Sequence, residues 1–243
     1  MRSIKTRGIV IKRMNYGEAD RILTVFTERL GKVKILAKGV RKITSKMAGN
    51  LEPYNLLEME LHEGKTFYTV TSTNIVECFD CDMALSNSTQ AVYISEIIDK
   101  VFEESEKNTL AFEIFADSLR YIRNSKNDLA LRLFELKILE QAGFQPDFYD
   151  CAACKKKLLP GQNYINKVSA DLLCGDCANH TGVAEKIDDG VIKLLRLLQE
   201  RGVEVCDKIS CDAAHITQTE KILDQLLQNA LERELKSKKY LSS

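Results

Sequence analysis

Residues 21–38 read RILTVFTERLGKVKILAK, and their pattern predicts the secondary structure of the N-terminal part of the chain. Residues 21–27 are rich in β-branched side chains, and polar and apolar side chains alternate in residues 32–38, as in half-buried strands. The segment between them contains Gly31, which favours a tight connection. The stretch therefore predicts two neighbouring β-strands joined by a short turn.

Three further strands are predicted around this pair, at residues 4–11, 54–62 and 67–76. The last two pair across residues 63–65, which form a short hairpin turn around a glycine. Five short strands with one long polar connection, residues 39–50, fit a small closed barrel such as an OB-fold. An open antiparallel sheet or an SH3-like barrel fits the periodicity nearly as well.

From about residue 83 the pattern becomes helical, because apolar residues recur at spacings of three and four. Gly143 is a natural stop for this region, and two more helices are predicted near 185–201 and 214–237. The predicted fold class is α+β, an N-terminal five-stranded OB-fold barrel followed by a helical body with an inserted four-cysteine zinc lobe. The predicted domains are a barrel (1–80), a first helical part (81–150), a zinc lobe (151–182) and a second helical part (183–243).

The charges are unevenly distributed, although the formal net charge is zero. Residues 1–50 carry 13 Lys and Arg against three Asp and Glu, a net charge of +10. Residues 51–120 carry four basic and 14 acidic residues, a net charge of −10. A sign change of this size between adjacent segments indicates that the N-terminal one faces a polyanion. The alternative is a basic surface that contacts its acidic neighbour within the same molecule.

Composition places the chain among folded proteins, with 44% hydrophobic residues and three prolines in 243 residues. No run approaches the roughly 18 apolar residues of a membrane span, and no apolar signal core follows the N-terminus. We therefore expect the protein to stay in the cytoplasm. Stable disulfides are rare in that reducing compartment, so the eight cysteines require another explanation.

Four of the cysteines form two CxxC pairs, with 19 residues between the pairs. This spacing is that of zinc ribbons, because two intervening residues let both thiolates reach one tetrahedral ion at about 2.3 Å. Four thiolates leave no coordination position for water, so we expect one structural Zn²⁺ and no catalysis. The alternatives are a dithiol redox pair or reduced cysteines without a ligand. The predicted zinc ligands are Cys151, Cys154, Cys174 and Cys177.

The remaining cysteines have no metal-binding pattern. Cys78 and Cys81 repeat the CxxC spacing without a matching second pair, so we expect ordinary packing residues there. The same holds for Cys206 and Cys211, which lack metal spacing. Directly after the first CxxC pair, residues 155–157 are three lysines. They can offset the charge of a tetrathiolate site or contact phosphate, and the sequence favours neither.

The basic residues around the predicted third strand are the candidate nucleic-acid contacts. Lys34 and Lys38 lie four residues apart on that strand and so project from one face, and the cationic segment 39–46 follows directly. Such a face with a cationic loop beside it can follow a phosphate backbone without reading its sequence. The candidate DNA-binding residues are Lys12, Arg13, Lys34, Lys38, Arg41, Lys42 and Lys46.

Enzymatic motifs are missing from the sequence, which contains no GxSxG, HExxH, P-loop or GxGxxG pattern. Glu18 and Asp20 place two carboxylates close together, but the surrounding basic residues favour salt bridges that order a loop over acid–base chemistry. We therefore expect no enzyme. The rival interpretations are a zinc-ribbon RNA-binding protein and a dithiol or metal-dependent enzyme.

Several segments, taken in order, resemble the RecO family of bacterial recombination mediators. They are Tyr16–Leu23 (YGEADRIL), Gly31–Lys42, Ala142–Pro146 (AGFQP) leading into the first CxxC pair, and Leu235–Leu241, which is similar to the family's C-terminal helix. The resemblance covers the whole chain, and the order and spacing of the segments make it specific.

The resemblance implies an N-terminal OB-fold that binds single- and double-stranded DNA, a helical domain and a zinc lobe. It further implies a role in DNA repair and recombination, through annealing of complementary strands and loading of RecA on DNA coated with single-strand-binding protein, together with RecR. The pocket for the C-terminal tail of single-strand-binding protein is expected in the helical body.

Overall fold

The computed structural model describes residues 3–79, 85–124, 128–231 and 235–241. Contacts divide the chain into two units, one formed by Met1–Lys126 with Leu235–Ser243 and the other by Asn127–Glu234. The boundaries of the four predicted domains stay a prediction. No helix in the described residues has the length and apolar character needed to cross a bilayer.

A closed five-stranded barrel forms most of the first unit. Its strands are β1 (Ser3–Tyr16), β2 (Asp20–Thr27), β3 (Gly31–Ala37), β4 (Asn55–His62) and β5 (Tyr68–Cys78). The order around the barrel is β1-β2-β3-β5-β4. β1 pairs with β4 in antiparallel fashion, and β3 pairs with β5 in parallel fashion. The predicted α+β class with an N-terminal five-stranded barrel is confirmed, and this architecture is that of an OB-fold.

The barrel interior is aliphatic, as expected for a sequence without tryptophan. Val33, Ile35 and Ala37 of β3 point inward and are at most 3% exposed, whereas Lys34 between them points outward. The alternation predicted for this strand is therefore confirmed. Burial of each large aliphatic side chain contributes about 1.5–3 kcal/mol relative to its exposure, so the interior of the barrel is the main source of its stability.

β1 is longer than predicted, since it runs to Tyr16 and not only to Ile11. Its pairing with β2 slips between Val10 and Lys12, and such a bulge bends the strand and increases its twist. Beyond the bulge, residues 12–16 are exposed on both faces. The end of the β1–β2 hairpin therefore projects from the barrel.

Two helices complete the first unit, α1 (Leu85–Val101) and α2 (Thr109–Asn124). Phe26 of β2 stacks on Phe102 with ring centroids 5.3 Å apart, and it also contacts Phe112 and Phe115 of α2 at 6.3 Å. Such aromatic pairs contribute about 0.5–1.5 kcal/mol each beyond their buried area. This cluster attaches the helices to the barrel.

The C-terminal segment returns to the first unit and is held by Glu96 of α1. The Glu96 carboxylate accepts hydrogen bonds from the backbone N–H groups of Lys236 and Ser237 at 3.0 and 2.7 Å. Burial opposes ionisation of Glu96, but its hydrogen bonds with Ser237 and Lys236 lower its pKa to about 2. The prediction of a helix to residue 237 is wrong for residues 235–237, because Glu96 takes the N–H groups that a helix would use.

The second unit combines helices with a small sheet that carries the CxxC pairs. Its helices are α3 (Leu129–Gln141), α4 (Gly175–Ala178), α5 (Asp189–Glu200) and α6 (Ala213–Leu231). Its strands are β6 (Asn163–Asn166), β7 (Leu172–Cys174) and β8 (Ala184–Lys186), in the order β7-β6-β8. The side chain of Asp188 caps α5 by accepting the Gly190 N–H at 2.6 Å, a contact worth about 1 kcal/mol.

Two glycines with positive φ make a matched test of the packing around the β2–β3 turn. Gly31 has φ +69°, and a Cβ added there would collide with the carbonyl group of Glu106. Gly17 has φ +56° with nothing within 4 Å of an added Cβ. Gly17→Ala should cost about 1–2 kcal/mol through its backbone conformation alone, and Gly31→Ala about 1–3 kcal/mol more. Chemical denaturation measures both, and equal losses would contradict the close packing at Gly31.

Candidate nucleic-acid interface and metal centre

The cationic loop that follows β3 is hydrogen-bonded to the β1–β2 turn. The Gly39 N–H donates to the Asp20 carboxylate at 2.7 Å, and the Arg41 N–H donates to the Ala19 carbonyl at 2.9 Å. The Arg41 guanidinium also donates to the Gly17 carbonyl at 3.2 Å. Asp20 therefore orders the loop, but through a backbone hydrogen bond and not through the salt bridge expected from the sequence.

Apolar anchors fix both ends of the loop and leave its middle exposed. Val40 and Leu51 are fully buried in the barrel core, and the Asn55 side chain donates to the carbonyl groups of Gly49 and Asn50. Between these anchors, residues 41–44 and 46 are exposed. A cationic segment is thus displayed to solvent while its ends are immobilised.

The outward face of β1, β2 and β3 next to this loop combines cations with apolar side chains. The strand register places Lys12, Thr24 and Lys34 in one row across the three strands, with a cation at each end. A neighbouring row is apolar and consists of Met14, Ile22 and Leu36. Met14 is 59% exposed, and Tyr16, two residues further on β1, is 49% exposed. Exposed apolar side chains beside cations can contact both the bases and the phosphates of a single strand.

Three of the seven candidate DNA-binding residues form ion pairs with acidic residues of the same unit. This part of the basic segment follows the alternative interpretation, in which basic residues contact their acidic neighbour. Lys34 and Glu104 approach to 2.5 Å while both remain about half exposed, so the pair is open to competition by another anion. The pairs are Lys12 with Asp99, Arg13 with Glu52 and Lys34 with Glu104.

The other four candidates lie together at and after the end of β3. All four are exposed, and within the described part of the chain none of them has an acidic group in ion-pair distance. β3 ends at Ala37, so the first of them belongs to the loop and not, as predicted, to the strand. These residues, here called the loop cations, are Lys38, Arg41, Lys42 and Lys46.

Arg21 is a member of this cationic region that the sequence interpretation missed. Burial lowers its pKa, and the positive charges of Arg13 and Arg41 lower it further, which shows that the three guanidinium groups lie close together. Arg21 donates to Glu52 at 3.0 Å. The position of Arg21 in the YGEADR motif could have identified it as part of this region, because that motif forms the turn to which the loop is hydrogen-bonded.

A groove of 360 Å³ lies at the opposite end of β1, lined by residues of β1, β4, β5 and the β2–β3 turn. Its three cations are balanced by three carboxylates. Charge gives no reason to place a polyanion there. The charged lining residues are Lys5, Arg7, Arg29, Glu28, Glu58 and Glu60.

The four predicted zinc ligands converge in the second unit. Their sulfur atoms all lie within 4.8 Å of one another, and the sulfurs of Cys154 and Cys174 are 3.7 Å apart. A tetrahedral Zn²⁺ with Zn–S bonds of about 2.3 Å requires sulfurs roughly 3.8 Å apart. The donor set therefore fits one tetrahedral metal ion, and the thiols form one group of four rather than two separate dithiols.

The close approach of the four thiols changes the pKa values of Cys151 and Cys177. Burial opposes ionisation of Cys151, but backbone N–H groups of residues 153, 154 and 174 stabilise its thiolate and lower its pKa to about 6. Hydrogen bonds with Cys174 and Cys154 raise the pKa of Cys177 to about 12. Full deprotonation of such a group requires a bound cation.

Cys78, Cys206 and Cys211 lie outside this cluster. Cys78 is half-buried and disulfide-bonded, so the expectation of an ordinary packing thiol is wrong there, and Cys81 lies outside the described residues. Cys206 is fully buried, and burial raises its pKa to about 11. Cys211 is half-buried with a raised pKa, again through burial. Cys206 is therefore a packing residue, as predicted.

Two family models together cover nearly the whole chain. The model of the Recombination protein O N-terminal domain matches residues 1–79, which include all five barrel strands. The model of the Recombination protein O C-terminal domain matches residues 84–239, which include the CxxC pairs.

Curated relatives agree with these models. The chain is 33% identical to the DNA repair protein RecO of Roseiflexus sp. (strain RS-1), over 99% of this chain and 85% of that protein. It is 31% identical to the DNA repair protein RecO of Dehalococcoides mccartyi (strain ATCC BAA-2266 / KCTC 15142 / 195), over 98% of this chain and 95% of the relative. The barrel, the CxxC cluster and these similarities along the whole length lead to one conclusion, that the chain belongs to the RecO family.

Proposed function

We propose that this protein acts in DNA repair and recombination by binding DNA through the barrel and annealing complementary single strands. The observation that carries this proposal is the set of four loop cations, exposed and without acidic partners in the described chain, beside an outward face that offers apolar side chains. Phosphates bind to the loop cations, and this interaction accounts for binding of single and double strands alike because it does not read sequence.

Single strands gain an additional interaction on this surface. Their unstacked bases reach the row formed by Met14, Ile22 and Leu36, and a base can stack on Tyr16. A duplex keeps its bases inside and offers mainly phosphates. The surface therefore favours the single strands that must be brought together during annealing.

The protein performs no covalent chemistry in this proposal. Annealing releases free energy by base pairing, so it needs no nucleotide hydrolysis, and the sequence offers no phosphate-cradling loop to support one. The partners proposed from family membership are RecR, RecA and the C-terminal tail of single-strand-binding protein. We place this activity in the cytoplasm, at the nucleoid.

We also propose that Cys151, Cys154, Cys174 and Cys177 hold one Zn²⁺ with a structural role. The ion supplies the positive charge that lets all four thiols remain deprotonated. The four sulfurs occupy every tetrahedral position, so no position remains for substrate or water. Metal binding then stabilises the lobe formed by β6, β7 and β8, because a site assembled from distant residues forms only when the chain folds.

Reversal of two loop cations tests the DNA surface. Lys38→Glu with Arg41→Glu should weaken binding to all single-stranded sequences about equally. It should also flatten the log–log salt dependence by about 0.7 for each phosphate that is no longer bound. The matched control is Lys5→Glu with Arg29→Glu, at the charge-balanced groove. A salt titration of binding, with a thermal melt, compares the two. Equal binding by both variants would show that DNA binds elsewhere.

Removal of one zinc ligand tests the metal site. The parent protein should contain about one zinc per chain, and Cys154→Ser should lower metal content and stability together, because the site is coupled to folding. Cys211→Ser, a half-buried thiol outside the cluster, is the control and should change neither. Metal analysis and thermal melts measure the zinc content and the stability of the parent and both variants. A metal-free parent with unchanged stability would refute the structural role.

A further inference from the structure

Three consecutive lysines of the second unit, Lys155, Lys156 and Lys157, have no role in the function proposed so far. All three are exposed. In the described residues none of them forms an ion pair, whereas Lys167 of the same lobe pairs with Glu185 at 2.9 Å. The cluster therefore presents three unpaired positive charges on one short stretch of surface, which attracts anions.

The CxxC turn holds the backbone of this cluster in place. The Lys155 N–H donates to the Cys151 carbonyl at 2.8 Å, and the Cys151 N–H donates to the Lys156 carbonyl at 2.8 Å. The Leu158 N–H donates to the Tyr149 carbonyl at 2.9 Å, which closes a short hairpin. An anion that binds here meets ammonium groups on an already ordered backbone, so its binding costs little ordering entropy.

The alternative role for the lysines is to offset the negative charge of the four thiolates. No hydrogen bond joins the lysine ammonium groups to a cysteine sulfur in the described structure. The lysines are therefore available to a ligand from solution.

We propose that Lys155, Lys156 and Lys157 bind the phosphate backbone of a second single strand of DNA. The inference rests on the proposed annealing function, because a protein that holds two polyanions at once brings both strands together for pairing. The loop cations of the first unit account for one strand. Three flexible ammonium groups without planar hydrogen-bonding geometry suit phosphate contacts that do not depend on sequence.

A strand-capture experiment with the full-length protein tests this site. Protein is loaded to saturation on an immobilised single-stranded oligonucleotide, and capture of a labelled, non-complementary oligonucleotide is measured at several salt concentrations. The test variant changes the three lysines to glutamate. The charge-matched control changes three exposed lysines scattered over the same unit, Lys193→Glu, Lys208→Glu and Lys221→Glu. A third variant with the cluster changed to glutamine retains polarity without reversing charge.

The test variant should capture the second strand about tenfold less well than the control, with the salt slope of capture flattened by about 2 because three phosphates are no longer bound. Binding to the immobilised strand should stay within about twofold of the parent. The glutamine variant should fail to capture the second strand while it retains its zinc content.

Two results would overturn the inference. Equal capture by the test and control variants means that the cluster holds no strand, and loss of zinc from the glutamine variant means that the lysines serve the metal site. Failure of the proposed function gives a separate result. A parent protein that neither binds the immobilised strand nor anneals complementary strands would refute the annealing function and the second-strand site together.

Discussion

The hydrogen bond from the Gly39 N–H to the Asp20 carboxylate connects the fold to the proposed function. Asp20 begins β2, and Gly39 follows the end of β3, so the bond fixes the start of the cationic loop to the projecting end of the β1–β2 hairpin. The backbone bond from Arg41 to Ala19 reinforces it. This connection holds the start of the cationic loop against the face that carries the apolar row, so the proposed phosphate and base contacts lie side by side.

The electrostatics of the first unit follow from this arrangement. The cations on the strands are neutralised by three acidic residues, which are Asp99 of α1, Glu104 after α1 and Glu52 before β4. The loop cations remain exposed. The net charge of +10 in residues 1–50 therefore overstates the positive charge that is left unpaired on the surface. The same acidic residues keep the basic segment compatible with a stable fold, because unpaired like charges would repel one another. In the proposed DNA complex a phosphate competes with Glu104 for Lys34. Because salt screens both ion pairs, this competition partly offsets the salt sensitivity of binding at Lys34.

The sequence predicted those features that depend on local patterns. Strand alternation located β2 and β3, helical periodicity located α1 to α3, and the CxxC spacing located four thiols that come together in space. It did not predict that β1 extends to Tyr16, because residues beyond the bulge lack an inward apolar face. It also could not separate paired from unpaired cations, since Asp99 and Glu104 lie far along the chain from Lys12 and Lys34. The non-helical course of residues 235–237 depends on Glu96, about 140 residues earlier, and distant contacts of this kind leave no local signal.

Two alanine substitutions in the β1–β2 turn test whether the loop fixed by Asp20 is the DNA contact. Asp20→Ala and Glu18→Ala each remove one negative charge from the same turn, but only Asp20 holds the loop. If charge alone governed binding, both variants would bind single-stranded DNA more tightly than the parent and to the same extent. We expect Glu18→Ala to bind at least as tightly as the parent, whereas Asp20→Ala should bind more weakly and exchange the Gly39 amide hydrogen faster. Equal or tighter binding by Asp20→Ala, with a faster-exchanging loop, would contradict this role of the loop.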